Sequence, residues 1–185
     1  MQKSKLKICR AIGERVYLKC EKLPTLMPIV RKKGRRRKNV SEFKTQLKEK
    51  QKLKFSYGLR EKQLKHDFKK NPKKLMETLE RRLDNVIYRL GLAGSRNIAR
   101  QIISHGHVFV NNKRVDISSY KVKINDEIKM DNAGAELKEI LKKFEPLPWL
   151  SLNKEKLEGK IVGLPNISEL ERAHNVQLVT EFYSK

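Results

Sequence analysis

Residues 71–106 carry the clearest apolar rhythm in the chain. Leu75, Leu79, Leu83, Val86, Ile87 and Leu90 recur at three- and four-residue steps. That is the spacing of one buried helix face. Asn71-Pro72 supplies a cap and a first-turn proline, and Gly91 a stop, so a single helix is predicted between them. Ser95 caps a second helix running from Arg96 to about His105, with Ile98, Ala99, Ile102 and Ile103 expected inside. Gly106 stands where the left-handed residue after a helix belongs. The period then changes to two. His107, Phe109 and Asn111 alternate with Val108 and Val110. Asn111-Asn112 tolerates positive φ, which predicts a tight hairpin into Lys113-Arg114-Val115. KVKIN (121–125) and DEIKM (126–130) alternate again, so a small antiparallel sheet should follow the helix pair.

The pattern thins on either side. Ser41 is placed to cap EFKTQLKEKQKLKF, where Phe43 and Leu47 lie one turn apart, and Gly58 ends that segment. A further helix at about 59–69 carries Leu64 and Phe68. Both helices have a thin apolar stripe and a broad basic face. Toward the C-terminus, residues 135–144 predict a short amphipathic helix with Leu137, Ile140 and Leu141, ended by Pro146-Leu147-Pro148-Trp149. KIVGLP is a strand candidate, and VQLVTEFY is a final apolar cluster. Residues 1–40 show no period. Pro24 and Pro28 break their one apolar stretch, and RKKGRRRK (31–38) follows with seven basic residues of eight. An extended, partly irregular arm is expected there; a disordered tail and a nuclear-import signal are the other readings.

Charge sharpens this picture. The 185 residues carry a formal net charge of +23, far beyond what solubility requires, so a polyanionic partner is implied. Residues 1–75 hold 26 Lys/Arg against 6 Asp/Glu, while residues 76–185 hold 18 against 15. The basic half would repel itself alone, and a bound polyanion relieves that repulsion. Two cysteines, Cys9 and Cys20, are too few for a disulfide scaffold and fit a reducing compartment. No run of 18 apolar residues exists to span a membrane. The basic N-terminus lacks the apolar core of a secretory signal and the serine richness of a transit peptide.

Three constellations could carry chemistry. His105 and His107 would share one face of a strand, as some metal ligands do. A metal needs at least a third ligand, and only His66 and His174 remain elsewhere, with no cysteine nearby. No nucleophile accompanies the pair, so acid–base catalysis has no support. Cys9 and Cys20 lack the close second pair of a zinc module. No metal and no cofactor are expected. The helix pair offers more. Arg82, Asn85 and Arg89 recur on one face beside the apolar stripe, flanked by Arg81 and Tyr88. Arg96 and Arg100 lie one turn apart on the next helix, followed by Gln101 and Ser104. Planar guanidiniums grip phosphate with two donors, and tyrosine stacks on exposed bases. An ordinary solvated surface is the alternative. Against it, Arg96 and Arg100 have no acid three or four residues away, and Asp84, the nearest on the first helix, could pair with Arg81.

With these residues in view, the stretch LERRLDNVIYRLGLAGSRNIARQIISHGHVFVNNKRVDISSYKVKINDEI (79–128) resembles the small RNA-binding module named after the fourth small-subunit ribosomal protein. That module alone also occurs in RNA-modifying and tRNA-charging enzymes. KGRRRK, LKEKQKLKFSYGLREKQL and the terminal VQLVTEFYSK extend the resemblance to the ribosomal family itself, over most of the chain. The resemblance implies an α+β fold: a helical first domain, an inserted RNA-binding module of a helix pair plus a small antiparallel sheet, and a C-terminal tail that rejoins the first domain. Residues 172–185 should then pack against residues 40–80. The expected organisation is an arm at 1–40, a helical domain at 41–80 completed by 172–185, and a second domain at 81–171. Many bacterial members carry four zinc-ligating cysteines near the N-terminus; two remain here, which implies a zinc-free arm.

The function so implied is non-enzymatic. Members bind small-subunit rRNA at a helical junction, nucleate assembly of the subunit body, lie near the channel by which mRNA enters and affect decoding accuracy. Expected partners are small-subunit rRNA, neighbouring ribosomal proteins, notably the fifth of the small subunit, and mRNA, which some members repress. No membrane and no small-molecule substrate are expected, and the compartment is the bacterial cytosol or an organelle. A free-standing RNA regulator or chaperone is the alternative; a pseudouridine synthase would need a catalytic domain that residues 129–185 are too few to form. The expected RNA contacts are Arg31, Lys32, Lys33, Arg35, Arg36, Arg37 and Lys38 on the arm. Lys50, Lys54, Tyr57, Arg60 and Lys62 follow on the helical domain. Arg81, Arg82, Asn85, Arg89, Ser95, Arg96, Arg100, Gln101, His105, His107, Lys113 and Arg114 complete the set on the module.

Overall fold

The computed structural model describes residues 8, 9, 12, 41–131, 141, 145–166 and 174–184. Among these, six helices and one five-stranded antiparallel sheet make an α+β protein. The chain divides into two compact units. One is Met1–Lys69 with Glu171–Lys185, and the other is Lys70–Leu170. The division falls at residues 69–70, ahead of the 80–81 boundary expected from the sequence. The arm at 31–38 and most of the helix expected at 135–144 lie outside the described residues; Leu141 is helical and buried.

In the first unit, α1 spans Glu42–Ser56 and α2 spans Glu61–Lys70. Ser41 occupies the cap position of α1 without a side-chain cap bond. Gly58 N–H donates to the Phe55 carbonyl and Leu59 N–H to Lys54, the paired bonds that close a helix on a left-handed residue. The terminal cluster VQLVTEFY forms α6, Val176–Ser184, which lies on α1. Phe43 meets Phe182 at 5.6 Å between ring centres, and Phe68 meets Tyr183 at 4.9 Å. Leu53, Tyr57, Leu64, Phe68 and Val179 are buried between these helices. Cys9 is also buried and is disulfide-bonded, which departs from the reduced thiol expected. A cysteine count limits how many bridges can form, not whether one does.

In the second unit the long helix expected at 73–90 is broken. Asn71 caps a 3-10 turn at Pro72–Lys74, accepting from Lys74 N–H at 3.2 Å. Then come α3 (Leu75–Glu80) and α4 (Leu83–Arg89), with Arg82 extended between them at ψ 137°. The cause is non-local. Leu83 N–H donates to Tyr120 O at 2.8 Å, Asp84 N–H to Ser118 O at 3.2 Å, and Val122 N–H to Arg81 O at 2.9 Å. Residues 118–122 therefore satisfy backbone groups that a continuous helix would satisfy itself. The same segment accounts for a second difference. KVKIN contributes one bridge, Lys121 to Arg82, and a turn rather than a strand.

Ser95 caps α5, Arg96–Ser104, by accepting from Ile98 N–H. Gly106, at φ +77°, closes it: its N–H donates to Ile103 O and His107 N–H to Ile102 O. Ala99 and Ile103 are fully buried, but Ile98 is 47% exposed, contrary to the expected inward position. The strands are β1 (Val108–Val110), β2 (Lys113–Arg114), β3 (Glu127–Met130), β4 (Leu150–Asn153) and β5 (Glu158–Ile161). Their order in the sheet is β2-β1-β3-β5-β4. Asn111 and Asn112 both take positive φ in the β1–β2 turn, as their type allows. Of the strand candidate KIVGLP only Lys160 and Ile161 lie in β5, which begins at Glu158, and its hairpin partner β4 is not foreseen in the sequence. One face of the sheet packs on α4 and α5 through Leu83, Ile87, Leu90, Ile103, Val108 and Ile128.

Candidate nucleic-acid interface

The break between α3 and α4 sets two acids beneath the surface. Glu80 ends α3 and Asp84 opens α4, and they are 0% and 1% exposed as side chains. Burying a carboxylate is costly unless several donors meet it. Asp84 receives three. Arg82 grips it with Nε to Oδ1 at 3.1 Å and Nη2 to Oδ2 at 3.0 Å, and Arg100 Nε reaches Oδ2 at 2.6 Å. Glu80 is met in the same way. Arg89 donates from Nε at 3.2 Å and Nη2 at 2.9 Å, and Asn85 Nδ2 donates at 2.7 Å. Asn85, itself 0% exposed, accepts Arg96 Nε on its Oδ1 at 2.7 Å. The Arg96 guanidinium lies 4.6 Å over the Tyr88 ring.

Two hidden carboxylates thus hold three guanidiniums, those of Arg82, Arg89 and Arg100, and Glu80 is linked to a fourth, that of Arg96, through Asn85. The arginines end nearer solvent than the acids. Arg89 is 27% exposed and Arg100 is 25% exposed. The surface therefore shows cation while the compensating charge lies inside. This corrects the sequence reading of the rim as short of acid. Asp84 reaches Arg100 from the facing helix, sixteen positions away, and Glu80 reaches Arg89 from α3, nine positions away. Asp84 pairs with Arg82 and Arg100, and Arg81 instead donates to Glu77 and to Val122 O.

Individual expectations divide accordingly. Arg82 and Asn85 are buried, so their place is to hold the rim rather than to touch a ligand. Ser95 is committed to its cap. Gln101, His105, His107, Lys113 and Arg114 are exposed at one corner of the module. The imidazoles of His105 and His107 lie 6.3 Å apart and nearly parallel. Arg114 Nη2 reaches His105 O at 3.4 Å, and its guanidinium fills the space a Cβ on Gly106 would need. Among the described residues no group of three His, Cys, Asp or Glu could hold a metal ion.

In the first unit the outcome is mixed. Arg60 and Lys62 are exposed. Tyr57 is 2% exposed and cannot stack on a base. Lys50 is buried, pairs with Glu61 at 2.7 Å and lies 4.4 Å over the Phe182 ring. Lys54 reaches the same carboxylate at 3.1 Å. Tyr183 donates to it as well, at 3.0 Å. Burial raises the Glu61 carboxyl pKa, but the hydrogen bonds from Lys50, Lys54 and Tyr183 outweigh it, and the net shift is downward. Burial first, then the neighbouring Glu61, pushes the Tyr183 phenol above the usual tyrosine range. Sequence reasoning missed Glu80, whose signal was an acid one turn beyond Met76 on the buried stripe. It also missed Lys65, His66 and Lys69, which continue the exposed line from Lys62 at helical spacing. The arm residues Arg31, Lys32, Lys33, Arg35, Arg36, Arg37 and Lys38 lie outside the described residues.

Comparison with known proteins places this geometry. A family model described as "S4 domain" matches residues 81–128, and one described as "Ribosomal protein S4/S9 N-terminal domain" matches residues 1–87. A small ribosomal subunit protein uS4 from Halothermothrix orenii is 41% identical, across 97% of this chain and 96% of its own. The chain belongs to the uS4 family of ribosomal proteins. Further uS4 relatives include one from Thermus thermophilus, 38% identical across 97% of this chain and 96% of its own. Another, from Aquifex aeolicus, is 47% identical across 84% of this chain and 81% of its own. Proteins of the uS4 family are ribosomal proteins and not enzymes. Their S4 domain is an RNA-binding module, and its matched span contains Arg82, Arg89, Arg96, Arg100 and the exposed corner around Gly106. No helix among the described residues is long and apolar enough to cross a membrane.

Proposed function

We propose that the chain is a structural component of the small ribosomal subunit that binds its rRNA directly. In this reading it nucleates assembly of the subunit body, lies near the path by which mRNA enters and contributes to translational accuracy. It does so in contact with neighbouring ribosomal proteins, notably the fifth of the small subunit, in a cytoplasmic ribosome. The observation that carries the RNA-binding reading is the arginine rim of the matched module, held on Asp84 inside it and on Glu80 just ahead of it. A-form RNA hides its base edges in a deep groove, so a rigid cationic rim reads backbone shape rather than sequence. Exposed Arg60, Lys62, Lys65 and Lys69 offer a second basic stripe on the first unit.

Binding to a small-subunit rRNA fragment across a salt series tests the reading. Each phosphate neutralised contributes roughly 0.7–0.9 to the slope of log K against log salt. Arg35, Arg36 and Arg37 changed together to Ala should flatten that slope by about 2–3 and weaken binding. An unchanged slope would take the arm off the phosphate backbone. Sedimentation with small subunits separates a ribosomal component from a free regulator or chaperone: a chain found only outside ribosomes sinks the ribosomal reading.

A further inference from the structure

We infer that Asp84 and Glu80 are positioning residues for RNA recognition, and that their negative charge aids the binding of a polyanion. The inference rests on the rRNA-binding reading above. On charge alone, both acids oppose a ligand made of phosphate. Their geometry indicates otherwise. Each is sealed from solvent at 0–1% exposure, while Arg89 and Arg100, which they hold, remain about a quarter exposed; Arg82, at 6%, stays inside as support. Asp84 couples Arg82, at the joint before α4, to Arg100 on α5 through one oxygen, Oδ2. Glu80 couples Arg89 on α4 to Arg96 on α5 through Asn85. The two links thus fix the spacing of guanidiniums on different elements. An arginine side chain otherwise loses substantial rotamer freedom when it docks on a phosphate. Here Nε–carboxylate and Nε–amide bonds fix the planes beforehand, so that cost falls on folding rather than on binding. The acids thereby favour a structured RNA whose phosphates match the spacing. They do nothing for a flexible strand that can adapt to mobile cations.

The experiment compares the small-subunit rRNA fragment with poly(U) of similar length at one salt concentration. The proteins are the full chain, Asp84→Asn, Glu80→Gln, Arg100→Ala and the double variant Asp84→Asn with Arg100→Ala. Melting curves give the folded fraction, to which affinities are normalised. Positioning predicts that Asp84→Asn weakens rRNA binding about tenfold, the scale on which loss of an orienting partner costs affinity in other sites. Poly(U) binding should hold or tighten, because a negative charge has been removed. The double variant should be no weaker on rRNA than Arg100→Ala, since Asp84 then acts through a side chain already gone. Glu80→Gln should repeat the loss independently. Parallel tightening on both RNAs would overturn the inference, as would full additivity in the double variant. So would failure of both acid variants to fold, which would make the acids purely structural. A wild-type chain with no preference for rRNA over poly(U) would sink the rRNA-binding reading and this inference with it. A wild-type preference that both acid variants keep would sink this inference alone.

Discussion

Lys50 and Arg100 each hold a carboxylate, but the burial runs in opposite directions. In the first unit the Lys50 side chain is 9% exposed and Glu61 is 44% exposed. In the second, Asp84 is 1% exposed and Arg100 is 25% exposed. The first pair hides the cation and shows the acid. The second hides the acid and shows the cation. Residue type follows the use. Lysine is a point charge on a flexible stem, and here its ammonium lies 4.4 Å over the Phe182 ring of the tail helix. Arginine is a planar fork whose remaining edge keeps a fixed direction once Nε is bonded. A net charge of +23 says that a polyanion binds somewhere; the order of burial within each pair says which cations can reach it.

The comparison breaks most severely at Arg82. It is 5% exposed and supplies two of the three bonds to Asp84. Arg82→Ala leaves that carboxylate buried on Arg100 alone, and should destabilise the second unit by about 3 kcal/mol, the lower end for breaking a buried pair. Arg100→Ala should cost about 1 kcal/mol, because Arg82 still satisfies both oxygens and Arg100 is partly solvated. Hydrogen-exchange protection across α4 and α5 measures the difference. Equal costs would mean that Arg82 and Arg100 do not divide into a buried support and a presented group.

That division was half legible in the sequence. Ser95, Gly106 and Asn111-Asn112 act through local backbone geometry, and each sits where its type requires. Arg96 and Arg100 fell on one face of α5 because helical spacing puts them there. The supporting acids were hidden for a physical reason. Pairing three or four residues away is the only ion pairing a single helix displays, and Asp84 meets Arg100 across sixteen residues. The joint at Arg81-Arg82 was hidden likewise, because it depends on capture of Leu83 and Asp84 N–H groups by residues 118–120. Lys50 and Tyr57 looked like surface groups because the helix that covers them arrives more than a hundred residues later.

Exchanging the two lysine environments sharpens the contrast further. Lys50→Ala removes a buried stem and one partner of Glu61, so it should cost about 1 kcal/mol and leave the salt slope of rRNA binding unchanged. Lys62→Ala, on the exposed stripe of α2, should leave melting within about 0.5 kcal/mol and lower the slope by about 0.7–0.9 if it meets a phosphate. Thermal melts and a salt series on both variants decide it. A slope change at Lys50 would show that burial does not sort the cations of this unit.

The smallest effect is one of pH, and it belongs to the first unit alone. Glu61 has a lowered pKa in the folded chain, because hydrogen bonds from Lys50, Lys54 and Tyr183 outweigh the burial that raises it. A group whose folded pKa is depressed stabilises the fold above its unfolded pKa, near ~4.3 for glutamate. That contribution is lost as pH falls through the lower, folded value. Tyr183, pushed above the usual tyrosine range, stays protonated and keeps its O–H on Glu61 through neutral pH. The hold of α6 on α1 and α2 should therefore loosen below about pH 4. Because Glu61 is 44% exposed, solvent screens the interaction and the loss should be well under 1 kcal/mol. Exchange of α6 amides compared at pH 6 and pH 3 reads this directly, and Glu61→Gln should flatten the difference. An identical acid response in that variant would place the sensitivity elsewhere in the unit. It would also mean that the outward-facing acid does not hold the inward-facing lysines in place.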